Sequence, residues 1–200
     1  MRDLDLLLRN DHPRRARHSV AIEHEEEKAT LDLTDEEISV LSATWKRDDF
    51  EWLYEVGTTI YSHVFELAPE LKVFFPYVVE YEKAGKDWKE SKGFRTQALR
   101  FVQILGLAVE KAESKLPDEK SGLHKRLYKL GEYHQRFALK GFKPAHWSGF
   151  CTAVRITMQK QSETMDSLSD KQRETVCNAW EKLSRYIVHR MEEGYFGRGS

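Results

Sequence analysis

Apolar residues recur along this chain every three or four positions, and the points where that rhythm fails mark out the helices. Thr34-Asp35-Glu36-Glu37 forms a capping box, with Leu33 and Ile38 placed as a hydrophobic staple around it. Ile38, Leu41 and Trp45 then follow at helical spacing. A second run carries Leu53, Gly57, Ile60, Val64 and Phe65 on one side, and Pro69 suits the first turn of a short third helix. Phe74-Phe75-Pro76-Tyr77 ends that helix in an aromatic corner, and the polar stretch 80–92 reads as a loop with room for a short helix. A long helix is predicted over 93–113, with Phe94, Ala98, Phe101, Val102, Leu105 and Ala108 on one face. Pro117 to Gly122 reads as a linker, after which Leu123, Leu127, Leu130 and His134 step along another helix. Beyond Gly141, Pro144 opens a helix with Trp147, Cys151, Val154 and Met158. A second capping box, Ser169-Asp170-Lys171-Gln172, starts a last one with Val176, Trp180, Leu183, Ile187 and Met191.

Strict alternation is missing throughout, and five prolines with eleven glycines are too few turn residues for a many-stranded fold. The expectation is one all-α domain over residues 31–196, with six substantial helices, one short one and no solenoid repeat. Residues 1–30 differ. A basic run (Arg14, Arg15, Arg17) is followed by an acidic one (Glu23, Glu25, Glu26, Glu27), with few large apolar residues after Leu8. Such a stretch buries too little surface to offset its ordering entropy, so it reads as a flexible N-terminal extension, and 197–200 as a short tail.

Composition narrows the function classes. The 32 basic and 33 acidic residues nearly cancel, so neither nucleic acid nor an acidic membrane is an expected main partner. Cys151 and Cys177 match no metal-binding spacing and read as reduced packing residues. The Leu6-Leu7-Leu8 run is too short for a signal-peptide core, and no apolar stretch reaches the length of a spanning helix. The expected setting is a soluble protein of the cytoplasm.

Several of these residues fall into one known pattern. Trp45, Gly57, Phe65, Pro69 and Phe75 resemble the first half of a globin, in which a small residue lets the second and fifth helices cross closely and a phenylalanine packs flat on the haem. Leu130-Gly131-Glu132-Tyr133-His134 resembles the proximal motif, and Pro144 with Trp147 the start of the next helix. The resemblance spans roughly residues 31–196. It departs in the long separation of Gln97 from His134 and in an extended corner between His134 and Pro144, variations that resemble those of nematode globins. It implies the globin fold, six to eight helices around a haem pocket, with haem b as cofactor.

The resemblance assigns roles residue by residue. His134 is the expected iron ligand, its second ring nitrogen satisfied by the Leu130 carbonyl. Phe75 is expected against the haem, Tyr61 and Gln97 form an expected distal pair, and Phe101 lies one turn further on. Arg100 reads either as a partner of a haem propionate or as a solvated surface arginine. Tyr61 alternatively fills core with its hydroxyl on a backbone carbonyl. Dioxygen gains negative charge when it binds ferrous iron, so two donors would retain it, each contributing about 1.5–3 kcal/mol. No histidine lies between His63 and His124, so the long helix offers no sixth iron ligand of the usual kind.

The expected function is reversible binding of dioxygen or another diatomic gas, for storage, transport or scavenging. The alternatives are a haem redox enzyme (nitric oxide dioxygenation or peroxidase-like chemistry, with a separate reductase) and a gas or redox sensor. Fold alone does not choose among them, and the sequence leaves the oligomeric state, a homodimer included, open.

Overall fold

The computed structural model describes residues 31–116 and 122–198; the N-terminal extension and most of the 117–122 linker lie outside the described residues. Seven α-helices appear there: α1 (Asp35–Thr44), α2 (Phe50–Leu67), α3 (Pro76–Lys83), α4 (Lys92–Ser114), α5 (Leu123–His134), α6 (Trp147–Glu163) and α7 (Asp170–Phe196). Short 3-10 segments at Pro69–Phe74, Trp88–Glu90, Gln135–Lys140 and Pro144–His146 fill the corners. No strand occurs among the described residues, and no described helix is long and apolar enough to cross a membrane.

Both capping boxes form as the spacing predicts, Thr34 with Glu37 and Ser169 with Gln172. Each satisfies two backbone N–H groups that a helix start leaves orphaned. The aromatic corner differs from expectation. Pro76 does not merely interrupt; its fixed φ and missing N–H suit the first turn, and it opens α3 out to Lys83. The 3-10 turn after α3 and the Ser91 cap, whose hydroxyl accepts from Phe94 N–H, then aim α4.

The core runs through α1, α2, α4, α5, α6 and α7. Trp45 joins Trp52 and Trp180 in ring contact at 5.3 Å each, tying the first, second and last helices. Leu105, Leu127 and Leu183 are fully buried, each contributing about 1.5–3 kcal/mol relative to exposure. Two crossings depend on missing side chains. At Gly57 a Cβ would sit 3.0 Å from Val102 Cγ1 and 3.1 Å from the Ala98 carbonyl oxygen, so α2 rests on the backbone of α4. At Gly131 and Gly194 α5 and α7 approach closer still. A Cβ on Gly131 would overlap the Met191 carbonyl, and one on Gly194 that of Tyr128. By contrast α4 and α5 touch each other only lightly, leaving a seam between the helix of Gln97 and the helix of His134.

Candidate functional site

On one side of that seam, α2 and α4 bring two polar side chains together. Tyr61 is buried, and Gln97 Nε2 donates to its hydroxyl oxygen at 2.9 Å. Four rings surround the phenol: Phe65, Phe75, Phe94 and Phe101, with centroids 5.4–5.9 Å away. Burial pushes the Tyr61 pKa up to about 12, against a smaller lowering by the Gln97 hydrogen bond. The phenol is therefore a permanent donor at neutral pH. Because Gln97 occupies its oxygen, its own proton is free to point elsewhere.

Tyr77 belongs to the same region and was missed by sequence reasoning. Its ring occupies the space a side chain would need at Gly93, where a Cβ would lie 2.7 Å from Tyr77 Cδ1. Its phenol feels both Tyr61 and Arg100, and burial raises its pKa well above the usual tyrosine range. The signal in the sequence was Gly93 itself, a glycine inside a helix start with no turn to explain it. Arg100 is exposed, near enough to Tyr77 to act on it electrostatically.

On the other side, His134 ends α5. Its Nδ1 donates to the Leu130 carbonyl at 2.7 Å, the bond the residue pattern implies, which leaves Nε2 available. Burial lowers its pKa, the Leu130 bond opposing this more weakly, so the imidazole is neutral at pH 7. Phe142, Trp147 and Phe137 stand around it at 5.4, 5.5 and 6.0 Å. Gly141, in the left-handed region at φ 93°, makes the turn after Gln135–Lys140 that brings Phe142 back onto the histidine. The long corner between His134 and Pro144 thus builds a wall of the site.

A flat iron macrocycle needs a neutral imidazole with a free nitrogen, apolar walls, and helices that leave room between them. The first is met at His134. Phe75, Phe101, Ile104, Leu130 and Phe150 pack on the core yet stay only partly buried, which supplies apolar wall on both helices. These residues fit the group. Elsewhere, the groove between α1 and α4 is lined by Asp35, Ser42, Arg47, Glu113 and Lys115, whose charges are paired with one another, Arg47 to Glu113 at 2.6 Å. It is a solvated ionic surface. Cys151 and Cys177 are both partly buried with pKa values raised by burial, as expected of unreactive thiols.

Comparison with known proteins bears on the fold that carries these residues. No curated protein matches the chain. The solved structure of a hexacoordinated heme protein from an anhydrobiotic tardigrade, at pH 4, is similar in fold: 18% sequence identity, TM-score 0.62, covering 83% of this chain and 97% of that one. A family model described as Globin matches residues 58–191, which takes in α2 from Thr58 onward and nearly all that follows. The chain belongs to the globin family.

Proposed function

We propose that this globin binds haem b through His134 Nε2 and holds a diatomic gas, dioxygen foremost, under Tyr61 and Gln97. Haem, when bound, would supply an iron able to take such a gas. The observation that carries the reading is the hydrogen bond from Gln97 Nε2 to the Tyr61 oxygen. That bond orients the phenol, whose proton can then be given to a ligand atom that gains negative charge. Phe65, Phe94 and Phe101 keep water from competing for the donor, and in their low-dielectric surroundings the bond gains strength. On the opposite face, Leu130 and the rings around His134 hold the imidazole neutral and at a set angle. Phe75 borders the phenol, and Arg100, exposed and close enough to Tyr77 to act on its phenol, would serve as the partner of an acidic substituent of the cofactor.

The α4 helix carries no histidine, and His63, two residues from Tyr61 on α2 and so on another side of that helix, meets Glu66 through Nδ1 at 3.1 Å while its buried Nε2 has no hydrogen-bond partner among the described residues. The deoxy ferrous protein is therefore expected to be five-coordinate, unlike the hexacoordinated tardigrade protein. The test is absorption spectroscopy of the haem-loaded full chain beside His134→Ala. A five-coordinate ferrous spectrum that converts stably under dioxygen, and is lost in the variant, is the expected result. A six-coordinate ferrous spectrum, or haem uptake indifferent to His134, would refute it.

A second reading, redox work at the same centre with a separate reductase, is favoured by one observation: the oxidisable indole of Trp147 beside His134.

A further inference from the structure

Two residues of the proximal side have no part in holding a gas, and their placement has a chemistry of its own. Trp147 is buried with its indole centroid 5.5 Å from the His134 ring. Tyr195, partly buried near the end of α7, stands 5.8 Å further on in edge contact with that indole. Phe196, half exposed, is 5.3 Å from Tyr195 at the surface. An indole and a phenol are the side chains most readily oxidised by one electron, and contacts at these distances let an electron pass in short steps. We propose that Trp147 and Tyr195 form a one-electron relay from His134 to the surface, through which hydrogen peroxide reduced in the pocket oxidises phenolic donors outside it. The relay rests on the reading of His134 as the axial ligand of haem.

The competing rings are placed less well. Phe137 and Phe142 also touch His134, but a phenyl ring gives up an electron far less readily. Tyr133 lies 6.1 Å from His134 and is exposed, yet the Arg136 guanidinium stacks on its face at 4.3 Å, and a cation there opposes the loss of an electron. Tyr61 accepts a hydrogen bond from Gln97 and is buried, so its oxygen faces a donor where release of the proton would need an acceptor. Tyr195 combines an inner edge on Trp147 with partial exposure near the end of α7, and its hydroxyl makes a long contact of 3.5 Å to the Phe142 carbonyl.

The step balances as follows. One hydrogen peroxide takes two electrons and two protons, its O–O bond breaks, and two waters form. Each electron is supplied by Trp147 and restored from Tyr195, which loses its phenolic proton to solvent. A phenol at the surface then gives Tyr195 a hydrogen atom and leaves as a phenoxyl radical. Two phenols are consumed per peroxide. The exposed ring of Phe196 beside Tyr195 offers such a donor an aromatic surface to stack on.

The experiment treats the haem-loaded full chain with hydrogen peroxide and a nitroso spin trap, maps the trapped residue by peptide mass spectrometry, and measures guaiacol oxidation in parallel. Wild type is expected to carry the adduct on Tyr195. In Trp147→Phe the Tyr195 adduct should fall at least about tenfold although Tyr195 is intact. In Tyr195→Phe, which keeps the ring and gives up only a 3.5 Å contact to the Phe142 carbonyl, guaiacol oxidation should fall by about tenfold. Tyr133→Phe should change neither. An adduct on Tyr61 or Tyr133 in wild type, an undiminished Tyr195 adduct in Trp147→Phe, or undiminished guaiacol oxidation in Tyr195→Phe would each overturn the relay. Absorption spectra before peroxide separate the two readings. Failure to load haem through His134 overturns both, whereas normal loading with Tyr195 unmarked overturns the relay alone.

Discussion

The two faces of the site rest on two helix crossings that differ in tightness, and the difference follows what each crossing must position. At α2 and α4 a single glycine, Gly57, leaves a tight fit in which an added Cβ would lie 3.0–3.1 Å from Val102 and the Ala98 carbonyl, and the functional groups are two flexible side chains that adjust to each other, Tyr61 and Gln97. At α5 and α7 two glycines, Gly131 and Gly194, bring backbone onto backbone, one turn before the histidine expected to hold the iron. Helix separation is set by the side chains at the contact. The proximal crossing has none to give, so it fixes α5 rigidly. The distal side tolerates adjustment because hydrogen bonding, not backbone position, tunes it. The proximal side is neutral and aromatic; the distal side is polar within an aromatic shell.

The largest effect should come from forcing a methyl group into each crossing. Gly131→Ala is expected to destabilise by about 3 kcal/mol or more, because the clash is with a carbonyl that cannot move alone. Gly57→Ala should cost about 1 kcal/mol or less, since alanine's helix preference offsets a milder contact. Denaturant unfolding of the two variants measures the contrast, and equal losses would erase it.

Next in size is the distal donor. If Tyr61 donates to bound dioxygen as proposed, Tyr61→Phe removes that bond while keeping the ring, and dioxygen dissociation should accelerate roughly ten- to a hundredfold in stopped-flow measurements. Gln97→Leu should accelerate it by about tenfold, mostly through loss of the bond that orients the phenol. A larger effect from Gln97 than from Tyr61 would reverse the assignment of the principal donor.

The last effect is a pH dependence, confined to alkaline solution. The Tyr61 pKa is raised from 10.0 to about 12, so above pH 10 the unfolded chain loses this proton while the folded chain retains it. Stability should then fall as pH rises through that window, by on the order of 2–3 kcal/mol in all, and Tyr61→Phe should flatten the alkaline limb. Unfolding curves between pH 9 and 12 test this, with the variant as control. The proximal histidine should show no matching alkaline change, because its shift is downward from 6.5 and acts only on the acid side.

Helix order and both capping boxes were legible because they follow from periodicity and local cap chemistry, whereas the Gly57 crossing and the nearness of Tyr61 to Gln97 were legible only through the resemblance to globins, counted from Pro69 and Phe94. The helix opened by Pro76 was read as a corner, since the aromatic run Phe74-Phe75 hides the proline's role as a first-turn residue. Tyr77 escaped notice because its place depends on Gly93, sixteen positions away, having no side chain.

What the sequence determined by itself is what local chemistry determines: where helices start, which face is apolar, and that His134 follows Leu130 by one turn, within reach of its carbonyl. Only the tertiary structure decided that Gly131 meets Gly194, that the extended corner folds Phe142 back over the histidine, and that Trp147 stands between His134 and Tyr195. Those contacts join residues far apart in the chain. No periodicity encodes them; they exist because burying the apolar faces of α5, α6 and α7 together leaves one arrangement in which the helices fit.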